Sequence, residues 1–154
     1  GRIKGFTDIC KEYKIPHELI LTDTGHSYEE TSQILKNLID DIDIRYTGKT
    51  KGIFLPNDTF ANIVLHHLIR RYGKLPDDYK LIGFDGSPVS REAIVPISTV
   101  GQQIDKIAAA AMEILNVQIK ESHKRKPALS SEPVHQIIPP ILIHRETTLP
   151  VKTP

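Results

Sequence analysis

Apolar residues along this chain recur at two alternating rhythms, one with helical spacing and one in short runs of strand length. Ile3, Phe6, Ile9, Cys10 and Tyr13 predict an amphipathic helix over residues 2–14. Ser27 and Glu30 read as a capping box ahead of Ile34, Leu35, Leu38 and Ile39, which share one helical face. Ala61, Val64, Leu65, Leu68 and Tyr72 predict a third helix, closed by Gly73 and then Pro76. Ile104, Ile107, Ala108, Ala111 and Leu115 predict a fourth over 102–118. Apolar runs at 18–22, 52–55, 80–84 and 97–100 have strand length. Strands alternating with helices imply right-handed βαβ units, hence an α/β fold with a parallel sheet covered by helices on both faces.

The ending breaks the rhythm. Residues 120–133 are charged and marked by prolines, which predicts a surface loop; its basic cluster His123-Lys124-Arg125-Lys126 reads as solvated. Two extended segments follow, 134–138 and 141–144, split by Pro139-Pro140, a pair that has no place inside a central strand. Strand, double-proline corner and strand suggest a chain crossing between two bodies.

Each predicted strand is followed by polar residues, and all four sets fall at the same end of the sheet. They are Thr22-Asp23-Thr24-Gly25-His26, Asn57-Asp58, Asp85 and Gly101-Gln102. In an open parallel sheet, ligands bind in the crevice outside the carboxyl ends of the strands. Asn57 offers a donor and an acceptor to ligand hydroxyls, and equally suits a helix N-cap. Asp85 can accept hydrogen bonds from adjacent hydroxyls, a sugar-like pattern, or serve as a turn residue before Gly86. Gln102 can face the ligand or cap the helix after it. Arg2 places a cation at a helix start, where the helix dipole disfavours it. A polar or anionic neighbour explains that placement, and a frayed terminus is the alternative.

With 154 residues the chain is long enough for one core, and a formal net charge of +1 leaves no electrostatic footprint for nucleic acid. A single cysteine, Cys10, rules out an internal disulfide framework and fits a reducing compartment. No apolar run approaches the roughly 18 residues of a membrane span. The chain opens on Gly1-Arg2-Ile3-Lys4 without an initiating Met and without a signal peptide, which reads as a fragment of something longer.

Catalytic patterns are missing. Gly48-Lys49-Thr50 resembles the tail of a phosphate loop, but Asp43 stands where that motif needs its first glycine, and the stretch precedes a strand. His66 and His67 are adjacent on a helix and point apart, which defeats metal ligation. No nucleophile elbow and no carboxylate pair for acid–base work stand out. The expectation is a binding module with no catalytic residues, metal or cofactor.

On these residues the chain resembles the carboxyl-terminal part of the lactose-repressor/galactose-repressor family of bacterial transcription regulators. The matching stretches are 1–6, 52–61 (Gly-Ile-Phe-Leu-Pro-Asn-Asp-Thr-Phe-Ala), 75–85 (Leu-Pro-Asp-Asp-Tyr-Lys-Leu-Ile-Gly-Phe-Asp), 98–102 (Ser-Thr-Val-Gly-Gln) and 144–148 (His-Arg-Glu-Thr-Thr). They run in the family's order from end to end.

The resemblance implies a two-lobed, periplasmic-binding-protein-like (type I) sensor with a sugar or nucleotide-like effector in its cleft. By position, Arg2, Asn57, Asp85 and Gln102 match the family's effector contacts. His26 falls where many members carry a stacking aromatic, a departure that leaves Tyr28 or Phe84 as substitutes. Residues 1–100 and 140–148 would belong to the second lobe, and 101–138 would join the first. The DNA-binding headpiece and most of the first lobe would lie outside this chain. The implied parent is a cytoplasmic homodimer that reads operator DNA through that headpiece. The helix at 102–118, bared of its lobe, would expose Ile104, Ile107, Ala108 and Leu115 and prompt self-association. Two other readings remain: a transport-type periplasmic sugar-binding protein of the same fold, and a small flavodoxin-like enzyme.

Overall fold

The computed structural model describes residues 1–25, 27–122 and 135–149. The chain divides into two compact units, Gly1–Thr31 and Ser32–Pro154.

In the first unit, α1 (Arg2–Glu12) is the helix expected at the start of the chain. It stops because Lys14 adopts a left-handed φ of 54° and the Ile15 N–H turns back to the Cys10 carbonyl at 2.8 Å. Pro16 then forbids continuation. Residues 18–22, expected as a strand, carry no regular structure, and Leu19, Ile20 and Leu21 are exposed. Apolar character is only half of a strand's requirement; no ladder among the described residues satisfies the backbone here. The unit closes at the start of α2 (Tyr28–Arg45), where the Ser27 hydroxyl accepts the Glu30 N–H at 3.1 Å. The capping serine of the expected box is thus in place.

The second unit holds the core. Leu35, Ile39 and Ile42 of α2 meet Ala61, Val64, Leu65 and Leu68 of α3 (Asp58–Tyr72), with Tyr79 and Leu81 of the sheet beneath. Gly73 ends α3 at a φ of 77°, donating to the Ile69 carbonyl, as its place after the last apolar residue predicts. The strands are β1 (Lys51–Phe54), β2 (Tyr79–Asp85), β3 (Ser98–Gly101) and β4 (Ile141–Ile143), in the order β1-β2-β3-β4. The first three are parallel and β4 pairs antiparallel with β3, so the sheet is mixed with an antiparallel edge. A short helix absent from the sequence reading, α4 (Pro88–Glu92), lies between β2 and β3 with proline in its first turn. Residues 135–138 form no strand, residue 134 lies outside the described residues, and so does the basic cluster 123–126.

Thr147 closes the amino-terminal side of the β2–β3 ladder. It is fully buried, accepts the Ser98 N–H at 2.9 Å and donates to the Leu81 carbonyl at 2.7 Å. Its own carbonyl takes the Leu81 N–H at 3.2 Å. Thr147→Val preserves shape but strands two buried backbone groups, so urea denaturation should show a loss of about 2–4 kcal/mol, with Thr147→Ser recovering most of it.

The last helix, α5 (Ile104–Ser122), buries none of its side chains. Ile104, Ile107, Met112, Leu115, Val117 and Ile119 are all exposed along it. No helix among the described residues is long and apolar enough to cross a membrane.

Candidate ligand site at the carboxyl ends of the strands

Parallel register aligns the carboxyl ends of β1, β2 and β3 along one edge, since Phe54 faces Ile82 and Asp85 faces Gly101. Asn57, Asp85 and Gln102 stand on or just past that edge, each half-buried.

Asp85 is the last residue of β2 and has a φ of 108°, which an L side chain rarely adopts. Such a backbone costs on the order of 1–3 kcal/mol and persists only where its surroundings over-determine it. An ordinary turn would place glycine there; here glycine follows, at Gly86 with φ 71°. The Asp85 Oδ1 accepts the Gln102 side-chain amide at 2.6 Å. Gln102 therefore does not cap α5; its side chain turns to the carboxylate across the β2–β3 pair. The next residue, Gln103, has a φ of 53° and its Nε2 donates to the Pro139 carbonyl at 2.5 Å. This bond ties the strand leaving the sheet to the segment re-entering it.

Asn57 is a helix cap. Its extended backbone and its Oδ1, accepting the Phe60 N–H at 2.8 Å, satisfy the first turn of α3. That leaves the amide Nδ2 as the group Asn57 can offer to a ligand. Phe54 and Phe84 meet edge to face, with centroids 6.5 Å apart, and give the adjoining strand face an aromatic character. Arg2 opens α1 in the amino-terminal unit and is exposed. His26 lies outside the described residues.

Asp58 was placed at this edge by the sequence together with Asn57, but without a role of its own. It is the first residue of α3, only 1% exposed, and it accepts three hydrogen bonds. Oδ2 takes the Ser87 N–H at 2.7 Å and the Ser87 hydroxyl at 2.9 Å; Oδ1 takes the Thr99 hydroxyl at 2.6 Å. Thr99 in turn accepts the Gly86 N–H at 3.2 Å. The signal in the sequence was Gly83, a glycine interrupting an apolar strand, which marks a close approach. A Cβ there would lie 2.3 Å from the Asp58 Oδ1.

At the amino-terminal end of β2 the chemistry is structural. Burial pushes the Asp43 carboxyl up, but hydrogen bonds from Tyr72 and Tyr79 with the charges of Arg71 and Lys51 outweigh it and hold the carboxyl below its ordinary range. Burial, then the bond to Asp43, drives the Tyr79 hydroxyl upward. No group of three metal-ligating side chains occurs among the described residues.

Residues 1–148 match the family described as the periplasmic binding protein-like domain. The chain is 28% identical over 154 residues to the HTH-type transcriptional regulator DegA of Bacillus subtilis, covering 99% of this chain and 42% of that protein. It is 28% identical over 147 residues to the ribose operon repressor of the same organism, covering 96% of this chain and 41% of that one. A solved LacI family transcriptional regulator from Enterococcus faecium, with bound ribose, is 28% identical with a TM-score of 0.72, covering 98% of this chain and 52% of its own. The chain thus spans about half the length of these relatives or less. They are regulators of transcription, as the resemblance in the sequence implied.

Proposed function

This chain belongs to the periplasmic binding protein-like domain family, and from that premise we propose that it is the ligand-sensing region of a sugar-responsive bacterial transcriptional repressor. One observation carries the reading: a strained, half-buried carboxylate, Asp85, held at the carboxyl edge of the sheet with Gln102 against it. Strain of that kind is a hallmark of sites where geometry matters more than stability. With Oδ1 engaged by Gln102, Oδ2 faces the task of accepting a sugar hydroxyl, and Asn57 Nδ2 supplies a donor on the same edge. The regulator names of the relatives favour this over a transport-type binding protein.

The mechanism is linkage. In the intact protein, as the family resemblance implies, the effector favours one closure angle between two lobes. Only a difference in affinity for the two angles changes DNA affinity, typically by about 1–3 kcal/mol of coupling. Gln102 and Gln103 sit in the crossing segment and couple its position to Asp85. The regulator acts in the cytoplasm without catalysing a reaction or using a cofactor, and it reaches operator DNA through a headpiece outside this chain.

It acts as a homodimer. The 154-residue chain itself self-associates through the apolar α5, giving at least a dimer by light scattering at micromolar concentration. A strictly monomeric mass would contradict that.

A thermal-shift panel of common sugars, with D-ribose first because two of the relatives name it, tests the function. A ligand at a hundred times its Kd stabilises the fold by about 2.7 kcal/mol, roughly 5–10 °C for a domain of this size. A panel of pentoses, hexoses, disaccharides and sugar phosphates that moves nothing at millimolar concentration would overturn the proposal.

A further inference from the structure

We infer that Asp58 is a positioning residue for the ligand-binding carboxylate: it fixes the turn after β2 so that Asp85 is forced into the conformation that meets Gln102. The inference rests on the proposed sugar site and deepens it. Asp85 is pinned from both sides. Upstream, the β2–β3 register holds Phe84 opposite Val100 and Asp85 opposite Gly101. Downstream, the Gly86 N–H is fixed on the Thr99 hydroxyl and the Ser87 N–H on Asp58 Oδ2. Between these anchors the backbone of Asp85 has no slack, and φ 108° is the outcome. Thr99 and Ser87 both converge on Asp58, so one buried carboxylate sets both downstream anchors.

Helix capping alone does not account for this arrangement. Asn57 already caps α3, and a residue one place into the helix needs no partner on β3. Burying a carboxylate is costly unless it is fully hydrogen-bonded, and here every described partner is a donor from the turn or strand that frames Asp85. Gly83 completes the fit by leaving room for the Asp58 head group. The edge is therefore built in two layers: Asp85 and Gln102 toward the ligand, and Asp58, Thr99 and Ser87 beneath them.

The test compares Asp58→Asn, Thr99→Val and Thr99→Ser with the unaltered protein. Without sugar, NMR follows the Gln102 side-chain amide, with the amides of β1 reporting whether the sheet is intact. Asp58→Asn and Thr99→Val should shift the Gln102 resonance toward that of a solvent-exposed amide while β1 stays in place, and Thr99→Ser should restore it. With sugar, calorimetry compares D-ribose with 2-deoxy- and 3-deoxy-D-ribose. The two disruptive variants should bind ribose at least about tenfold more weakly and lose discrimination against a deoxy analogue, because a misaimed carboxylate no longer selects a hydroxyl. A loss of stability alone leaves that discrimination untouched.

An unshifted Gln102 amide and full discrimination in both variants would overturn the inference. Should Asp58→Asn fail to fold, Thr99→Val decides. Should the unaltered protein bind no ribose, the best-binding sugar of the panel and its deoxy analogues replace it; should it bind no sugar, the ligand reading fails and the NMR comparison still decides the positioning role.

Discussion

Asp85→Gly should weaken sugar binding by roughly 10- to 150-fold, the worth of a hydrogen bond to a charged group, and yet melt above Asp85→Ala. Both variants remove the carboxylate, and Gln102 loses its partner in each. They differ in backbone. Alanine retains the cost of a φ of 108°, whereas glycine adopts it freely. After glycine's larger entropy in the unfolded chain is set against the relieved strain, glycine should be ahead by about 1 kcal/mol, or about 3 °C. Calorimetric titration and thermal melts check the two halves separately. Equal melting temperatures would mean that Asp85 is not strained, and unchanged affinity would mean that it does not touch the sugar.

The largest stability effect is expected at Gly83→Ala. The new Cβ would sit 2.3 Å from Asp58 Oδ1 and 3.2 Å from its Cα, in a strand whose neighbours Leu81 and Tyr79 are fully buried. Neither the backbone of α3 nor a carboxylate holding three hydrogen bonds yields cheaply. Overpacking and partial loss of those bonds together should cost about 4 kcal/mol. Gly52→Ala is the control. It lies on neighbouring β1 with nothing within 4 Å of its Cβ, and should change stability by less than about 0.5 kcal/mol. Similar urea midpoints for the two variants would show that Asp58 does not lie against β2 as described.

Periodicity revealed the helices well. Apolar residues at helical spacing fixed α1, α2, α3 and α5 to within a few residues, because each buries or presents a stripe that only a helix can form. Strands were read from apolar content, and there the reading divides. Lys51–Phe54, Tyr79–Asp85 and Ser98–Gly101 found neighbours with which to pair, while 18–22 did not. A strand's existence is decided by its partner, which a local run of residues does not encode. The short α4 escaped because five residues are too few to show a period.

The proposed site was legible as positions rather than as geometry. Asp85 and Gln102 were singled out separately by their places after two strands, and their 2.6 Å contact needed the fold. For Asn57 the fold shows the cap, made by its side-chain oxygen, and the proposed ligand contact rests on its amide nitrogen. Asp58 was placed on the same edge beside Asn57 but given no role, because its partners lie 29 and 41 residues away along the chain. Long-range polar networks leave only indirect marks, here the glycines at 83 and 86.

A crystal structure of the protein with the best-binding sugar of the thermal-shift panel tests the account most directly. The account predicts a sugar hydroxyl within hydrogen-bonding reach of Asp85 Oδ2, with Gln102 and Asn57 Nδ2 on the same ligand. A sugar ordered on another face, with Asp85 and Gln102 paired only to each other, would contradict it.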